Sequence, residues 1–255
     1  QHACGKTRAA LLDACGARAI ATFDSDVFVD YRARRPTMEL RDGVHGPLVW
    51  PSIQLHVGRD PLGHDVVLLT GPEPDAGWRR FTDLVCGLSA DLGVRLAVFL
   101  GAYPFAAPHT RPSRLSISTP SAEMAARLPF LRSSVDVPAG VSAALEDGFH
   151  ERSIESVGLW AQVPHYLGAM TYPAASVALL EGLAMVSELA VDSQALRDEA
   201  TAQRVRVDEL VAGNDEHGAM VRQLEAIHDA TDQVAGAPGI APEQIPSGDE
   251  LAAEV

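Results

Sequence analysis

Residues 94–112 read VRLAVFLGAYPFAAPHTRP, an apolar run that passes into a loop stiffened by Pro104, Pro108 and Pro112. A run such as Val94–Leu100, with no alternation of apolar and polar positions, reads as a strand buried on both faces, and such strands usually belong to a parallel sheet covered by helices. Two other runs end in the same way. Val66–Thr70 leads into Gly71, Pro72, Glu73, Pro74 and Asp75, and Ser156–Trp160 leads into Gln162, Val163, Pro164, His165 and Tyr166. A shorter strand, Arg18–Phe23, exits into Asp24, Ser25 and Asp26. In open α/β sheets ligands bind beyond the carboxyl ends of the strands. The sequence therefore predicts that these polar exits gather on one face of the sheet.

Working outward, strands alternate with helical spacing through most of the chain. Helices are expected over Lys6–Cys15, Asp75–Leu92, Ser121–Leu128 (capped by Thr119 and Pro120), Val141–Phe149 and Pro173–Leu189. This rhythm predicts an α/β fold, a three-layer doubly wound sheet occupying residues 1–191. Residues 37–64 interrupt it with short β-type runs, including Ile53–Val57, broken by Asp42-Gly43, His45-Gly46-Pro47 and Gly58-Arg59-Asp60-Pro61. Such turn dipeptides supply positive φ at Gly and a fixed φ at Pro. The stretch is read as a β-hairpin insertion that uses Trp50 or Ile53 against a neighbouring subunit. Beyond Val191 strand signals cease. Leu196, Ala200, Gln203, Val207 and Leu210, then Met220, Leu224, Ile227, Thr231 and Val234, mark an antiparallel helical pair. Each helix carries a narrow apolar stripe, so the pair must dock on the core, and residues 192–255 are expected to form a helical lid over the strand exits. A Gly/Pro linker over 235–246 and a capping box at Ser247 and Glu250 close the chain.

Composition narrows the classes of function. The hydrophobic fraction of 47% excludes a disordered chain. No apolar run reaches the ~18 residues of a membrane span. Of the net charge of −14, residues 192–255 carry −10 (14 Asp and Glu against 4 Arg), leaving −4 for the rest. An acidic chain repels phosphate backbones, so nucleic acid is not an expected partner. Three scattered cysteines, Cys4, Cys15 and Cys86, suit a reducing cytoplasm. The chain begins without Met, and its true start is expected upstream.

The chemical signals lie at the strand exits. Asp24 and Asp26, two apart, have the chemistry of a metal site or an acid–base pair, although turn aspartates capping backbone amides are the plainer reading. Glu73 is held between two prolines. His109 with Thr110 and Arg111 pairs a group that titrates near neutrality with a fixed cation, and His165 stands beside Tyr166 on a neighbouring exit. Together with Tyr103, these residues form the expected ligand-binding set. No nucleophile–base–orienter spacing, Gly-x-Ser-x-Gly elbow, His-Glu-x-x-His or Gly-x-Gly-x-x-Gly is present. Gly5-Lys6-Thr7 imitates only the end of a phosphate-binding loop. No cofactor and no metal are expected.

The Gly101-Ala102-Tyr103-Pro104 to Pro112 stretch, the Gly158–Tyr166 segment, Gly71–Asp75 and Asp30–Pro36 together resemble the proteasome assembly chaperone family, in its actinobacterial branch of largely uncharacterised proteins. The resemblance covers most of residues 6–255, and the single lysine, Lys6, among 20 basic residues suits such a high-GC source. It implies a core like that of nucleoside phosphorylases and peptidyl-tRNA hydrolases, an oligomerising hairpin, a helical cover and a homotrimer. It supplies no catalytic residues. The family's first strand and its loop are missing from the start of this chain. Three functions follow as expectations: a small polar ligand held under the lid, a protein-binding chaperone acting on proteasome subunits, or a hydrolase- or phosphorylase-like enzyme.

Overall fold

The computed structural model describes the backbone of residues 2–235 and the side chains of residues 4–231. In chain order it contains α1 (His2–Ala14), β1 (Arg18–Thr22), a single-turn α2 (Ser25–Phe28), β2 (Leu40–Arg41), β3 (Val44–His45), β4 (Gln54–Arg59), β5 (Asp65–Thr70) and α3 (Trp78–Asp91). Then follow β6 (Leu96–Phe105), β7 (Leu115–Ser118), α4 (Ala122–Arg127), α5 (Val141–Glu151), β8 (Glu155–Pro164), α6 (Pro173–Ser187), α7 (Gln194–Ala212) and α8 (Asp215–Ala235). The linker and capping box read beyond 235 lie outside the described residues.

The α/β class is observed, but the doubly wound parallel sheet is not. Among the described residues the strands form three separate sheets, of order β1-β4-β5, β2-β3 and β6-β8-β7. Only β6 and β8 run parallel; β5 pairs antiparallel with β4, and β7 antiparallel with β8. The physical reason is that an unbroken apolar run reports burial on two faces and carries no information on strand direction. Ile53–Val57 also belongs elsewhere than expected. It overlaps β4, the middle strand between β1 and β5, and Ile53 and Leu55 are each 2% exposed in a core with Phe23, Phe28 and Phe81. What projects is the shorter arm around β2 and β3, closed at its base by Thr37 and Val49.

Two strands are longer than their apolar runs. β6 continues through Gly101–Phe105 and β8 through Ala161–Pro164, stretches that the prolines marked as loops. Pro104 is tolerated because β6 is the edge of its sheet, where no neighbour asks for its missing N–H. On one face of β8, Val157, Leu159 and Ala161 are fully buried against Ala175 and Leu179 of α6. The other face carries a polar lattice. Trp160 Nε1 donates to Ser118 Oγ at 2.8 Å, and Ser118 donates to Glu146 at 2.8 Å. Gln162 donates to the Tyr103 hydroxyl, which also meets Ser116, both at 3.2 Å. Burial pushes the Glu146 carboxyl above its ordinary value, partly offset by the Ser118 bond.

Caps behave as local chemistry dictates. Ser121, rather than Thr119, caps α4, its Oγ accepting the Met124 N–H at 3.2 Å. The end of α1 is stitched to β4, where Arg59 N donates to Cys15 O at 2.9 Å. A Cβ on Gly58 would fall 2.3 Å from that carbonyl oxygen, backbone against backbone. Gly58→Ala is therefore expected to lower stability by about 2–3 kcal/mol in denaturant unfolding with an unchanged slope. A loss below about 0.5 kcal/mol would show that α1 yields freely at this contact.

Candidate functional site

Parallel pairing of β6 and β8, with Phe105 opposite Pro164, delivers the two Pro-His loops side by side. His109 is buried, and both its ring nitrogens are engaged. Nδ1 lies 2.7 Å from the Tyr166 hydroxyl, and Nε2 lies 3.0 Å from Asp208 of α7. The Tyr166 oxygen also accepts the His109 backbone N–H at 2.8 Å. The Nε2 side faces a carboxylate, which can only accept, so Nε2–H donates to Asp208. Thr110 donates to Glu225 of α8. Arg111 grips Asp229 through Nε at 2.8 Å and Nη2 at 2.7 Å, and reaches Glu225 through Nη1 at 3.2 Å. The bidentate bond to Arg111 holds the Asp229 carboxyl below the usual carboxylate range, and the same pairing raises the guanidinium further.

The acidic helical pair is thus fastened onto the 109–111 loop. Asp208 belongs to α7, and Glu225 and Asp229 to α8. Sequence reading missed all three because each sits on a polar helix face. One signal was available: Glu225 and Asp229 are like charges four apart on a helix, an unfavourable spacing unless a cation lies between them.

The expected ligand-binding residues do not gather in one place. His109 and Arg111 line a cleft of about 230 Å³ with Leu167, Tyr172, Arg204 and Val207. Tyr166 touches that wall through His109. His165 is exposed, its ring edge-on to Tyr166. Tyr103 belongs to the lattice on β8. Glu73 is spent at another position, accepting the Val141 N–H at the start of α5 at 2.6 Å. Asp24 caps α2 by accepting from Asp26 N at 3.1 Å, and Asp26 accepts from Tyr31 at 2.8 Å, the turn role anticipated as the plainer reading. Asp24 lines a second cleft, of about 250 Å³, with Phe28, Arg80 and Leu84.

Tyr166, His109 and Asp208 stand in the order of a nucleophile, base and orienter. They form no activated nucleophile. Burial first, then the Glu225 and Asp208 charges, hold the Tyr166 phenol above its ordinary value, so it stays protonated as a donor. Among the described residues, no three His, Cys, Asp or Glu side chains group as metal ligands. The cysteines are equally quiet, with burial pushing the Cys86 thiol up to about 11.

A profile described as PAC2 family matches residues 5–211. The chain belongs to the PAC2 family. That confirms the resemblance carried by the two Pro-His loops. Solved structures agree. A Mycobacterium tuberculosis protein of unknown function is 34% identical, with a TM-score of 0.85 over 91% of this chain and 81% of that one. A Mycobacterium tuberculosis proteasome-assembly chaperone homologue is 31% identical, with a TM-score of 0.79 over 86% of this PAC2 chain and 93% of its own. An archaeal proteasome activator from Pyrococcus furiosus shares the fold at 15% identity, with a TM-score of 0.60 over 80% of this chain and 86% of that one. The comparison with curated proteins returns no match.

Proposed function

We propose that this PAC2 protein works by holding other protein chains, namely copies of itself and proteasome subunits during assembly. One observation carries the reading. The β2–β3 arm holds its apolar side chains out to solvent, with Leu40 63%, Val44 72%, Val49 66% and Trp50 50% exposed. Trp50 is braced edge-on by Tyr31 at 4.8 Å between ring centroids, which fixes it in place rather than burying it. A contiguous apolar projection marks a protein interface. The similar mycobacterial proteasome-assembly chaperone homologue directs the choice of partner. The resemblance implies a trimer, and three free cysteines suit a cytoplasmic setting. Replacing residues 38–49 by a short Gly-Ser turn is expected to give monomers in light scattering and to abolish copurification with actinobacterial proteasome subunits. Unchanged mass and unchanged copurification would defeat the proposal.

A second reading is favoured by the cleft beside His109 and Arg111: a small polar ligand held at the ends of β6 and β8, with α7 and α8 as its cover. Ligand carried through native purification would appear as a mass increment in native mass spectrometry. An increment that survives mutation of every polar cleft residue would place the ligand elsewhere.

A further inference from the structure

Tyr172 lines the cleft beside His109 and is 5% exposed as a residue, but its hydroxyl is not among the fully buried polar atoms left without a partner, so it opens into the cleft. A donor that opens into a cleft is available to whatever occupies it. Apart from the Gln203 Oε1 and Thr201 Oγ1 oxygens, the polar groups lining the cleft are donors or are committed elsewhere. His109 has both ring nitrogens in use, and Arg111 is held by Asp229 and Glu225. Thr201 donates to Arg197 O, and Gln203 donates to Thr171 O at 2.6 Å. Arg204 is the cation left facing the cleft with only a loose partner, its Nε standing 3.7 Å from Asp208 with the side chain 55% exposed. Its charge reaches Tyr172 and favours the ionised form there, but burial dominates and pushes the phenol up to about 12, so it remains a donor at neutral pH.

A third donor arrives from the backbone. Tyr172 is the N-cap of α6 and offers it no side-chain bond, and Ala174, in the first turn of this 15-residue helix, lines the same cleft. Pro173 at the first position carries no N–H and the Ala175 N–H donates to Tyr172 O at 3.1 Å, which leaves the single N–H of Ala174 to favour a negative ligand there. No Asp or Glu lines the cleft, and Leu167, Ala174, Ala200 and Val207 make its walls apolar.

We propose that this cleft binds a small organic carboxylate, whose oxygens take the Tyr172 hydroxyl and the Arg204 guanidinium and whose aliphatic body lies against Leu167 and Val207. The volume of about 230 Å³ equals the liquid share of roughly eight waters, which suits a branched short-chain acid and excludes a nucleotide. The assignment rests on the small-ligand reading above and adds the ligand's chemical class.

The test uses the full chain with isovalerate and its uncharged counterpart isovaleramide, followed by titration calorimetry and by the chemical shifts of the Leu167 and Val207 methyls. Isovalerate is expected to bind at millimolar concentration with both methyl signals shifting, and isovaleramide about tenfold more weakly or worse. Tyr172→Phe and Arg204→Gln are each expected to lose about tenfold in isovalerate affinity. Arg204 is largely exposed, so its variant keeps the test alive if the Tyr172 variant fails to fold. Equal binding of acid and amide would overturn the carboxylate assignment while leaving a ligand cleft standing. No methyl shift with either compound at saturating concentration would overturn both the assignment and the small-ligand reading at this cleft. Isovalerate affinity unchanged in both variants would move the site elsewhere.

Discussion

Asp60→Asn is expected to lower the thermal midpoint at pH 7 by roughly 5–10 °C. The Asp60 side chain is wholly buried, yet it serves four donors. Oδ1 accepts the backbone N–H groups of Leu62 at 3.0 Å and His64 at 2.7 Å, shaping the turn between β4 and β5. Oδ2 accepts the His64 ring at 2.9 Å and the Ala190 N–H at 2.9 Å, fastening that turn to the segment between α6 and α7. An amide presents one acceptor oxygen in place of two, and its NH₂ would face N–H groups. Burial alone would raise the Asp60 carboxyl, but the Ala190 and His64 bonds outweigh it and hold the group well below the usual carboxylate range. A depressed folded value means the contribution is complete above the unfolded value of about 3.9 and is lost as pH falls below it. The gap between wild type and variant should therefore narrow below about pH 4. A gap that stays constant down to pH 3 would show that the charge contributes nothing.

Arg111→Met is expected to free α8. The guanidinium fork is what lets two carboxylates four residues apart share one helix face, and without it they repel each other and the acidic surface around them. Backbone hydrogen exchange over residues 215–231 should accelerate by roughly tenfold or more, while β8 stays protected. Arg111→Lys should restore only a minor part of the protection, because an ammonium is a point charge and lacks the two parallel N–H bonds made to Asp229. Because Asp229 is depressed by Arg111, the fastening holds above the unfolded carboxylate value and loosens as pH falls through that range. Protection unchanged in the Met variant would mean that α8 is held by its other contacts, the buried Val221 and Leu224 and the bonds from Thr110 to Glu225 and from Arg114 to His228 O.

Much of this arrangement was legible beforehand. The helices at 78–91, 141–151, 173–187 and 194–235 fall where spacing placed them, and the two Pro-His loops do meet. Strand direction was not legible, because Val66–Thr70 has the same apolar chemistry in either orientation. Nor was the fate of Glu73, since a carboxylate fixed by prolines looks alike whether it waits for a ligand or caps a helix five elements of chain away. Tyr172 was invisible for another reason. What singles it out is its place in the wall of the cleft beside His109 and Arg204, a property that belongs to the folded neighbourhood and leaves no mark in sequence. Arg111 was readable as a cation at a strand exit, but its neutralisation by α8 required knowing which helix lands there.

The order β6-β8-β7 also bears on how the chain is made. The middle strand is the last of the three to be synthesised. At ribosomal rates, the stretch between Phe105 and Glu155 takes roughly 3–10 s to emerge, and through that interval β6 has no ladder partner. Ten residues of strand with open hydrogen-bonding edges on both sides form a template for wrong pairing, and Pro104, which cannot donate to an intruding strand, sits where such pairing would spread. The proline that looked like a loop signal then acts as a guard on a nascent edge, protecting the chain before its native neighbour exists.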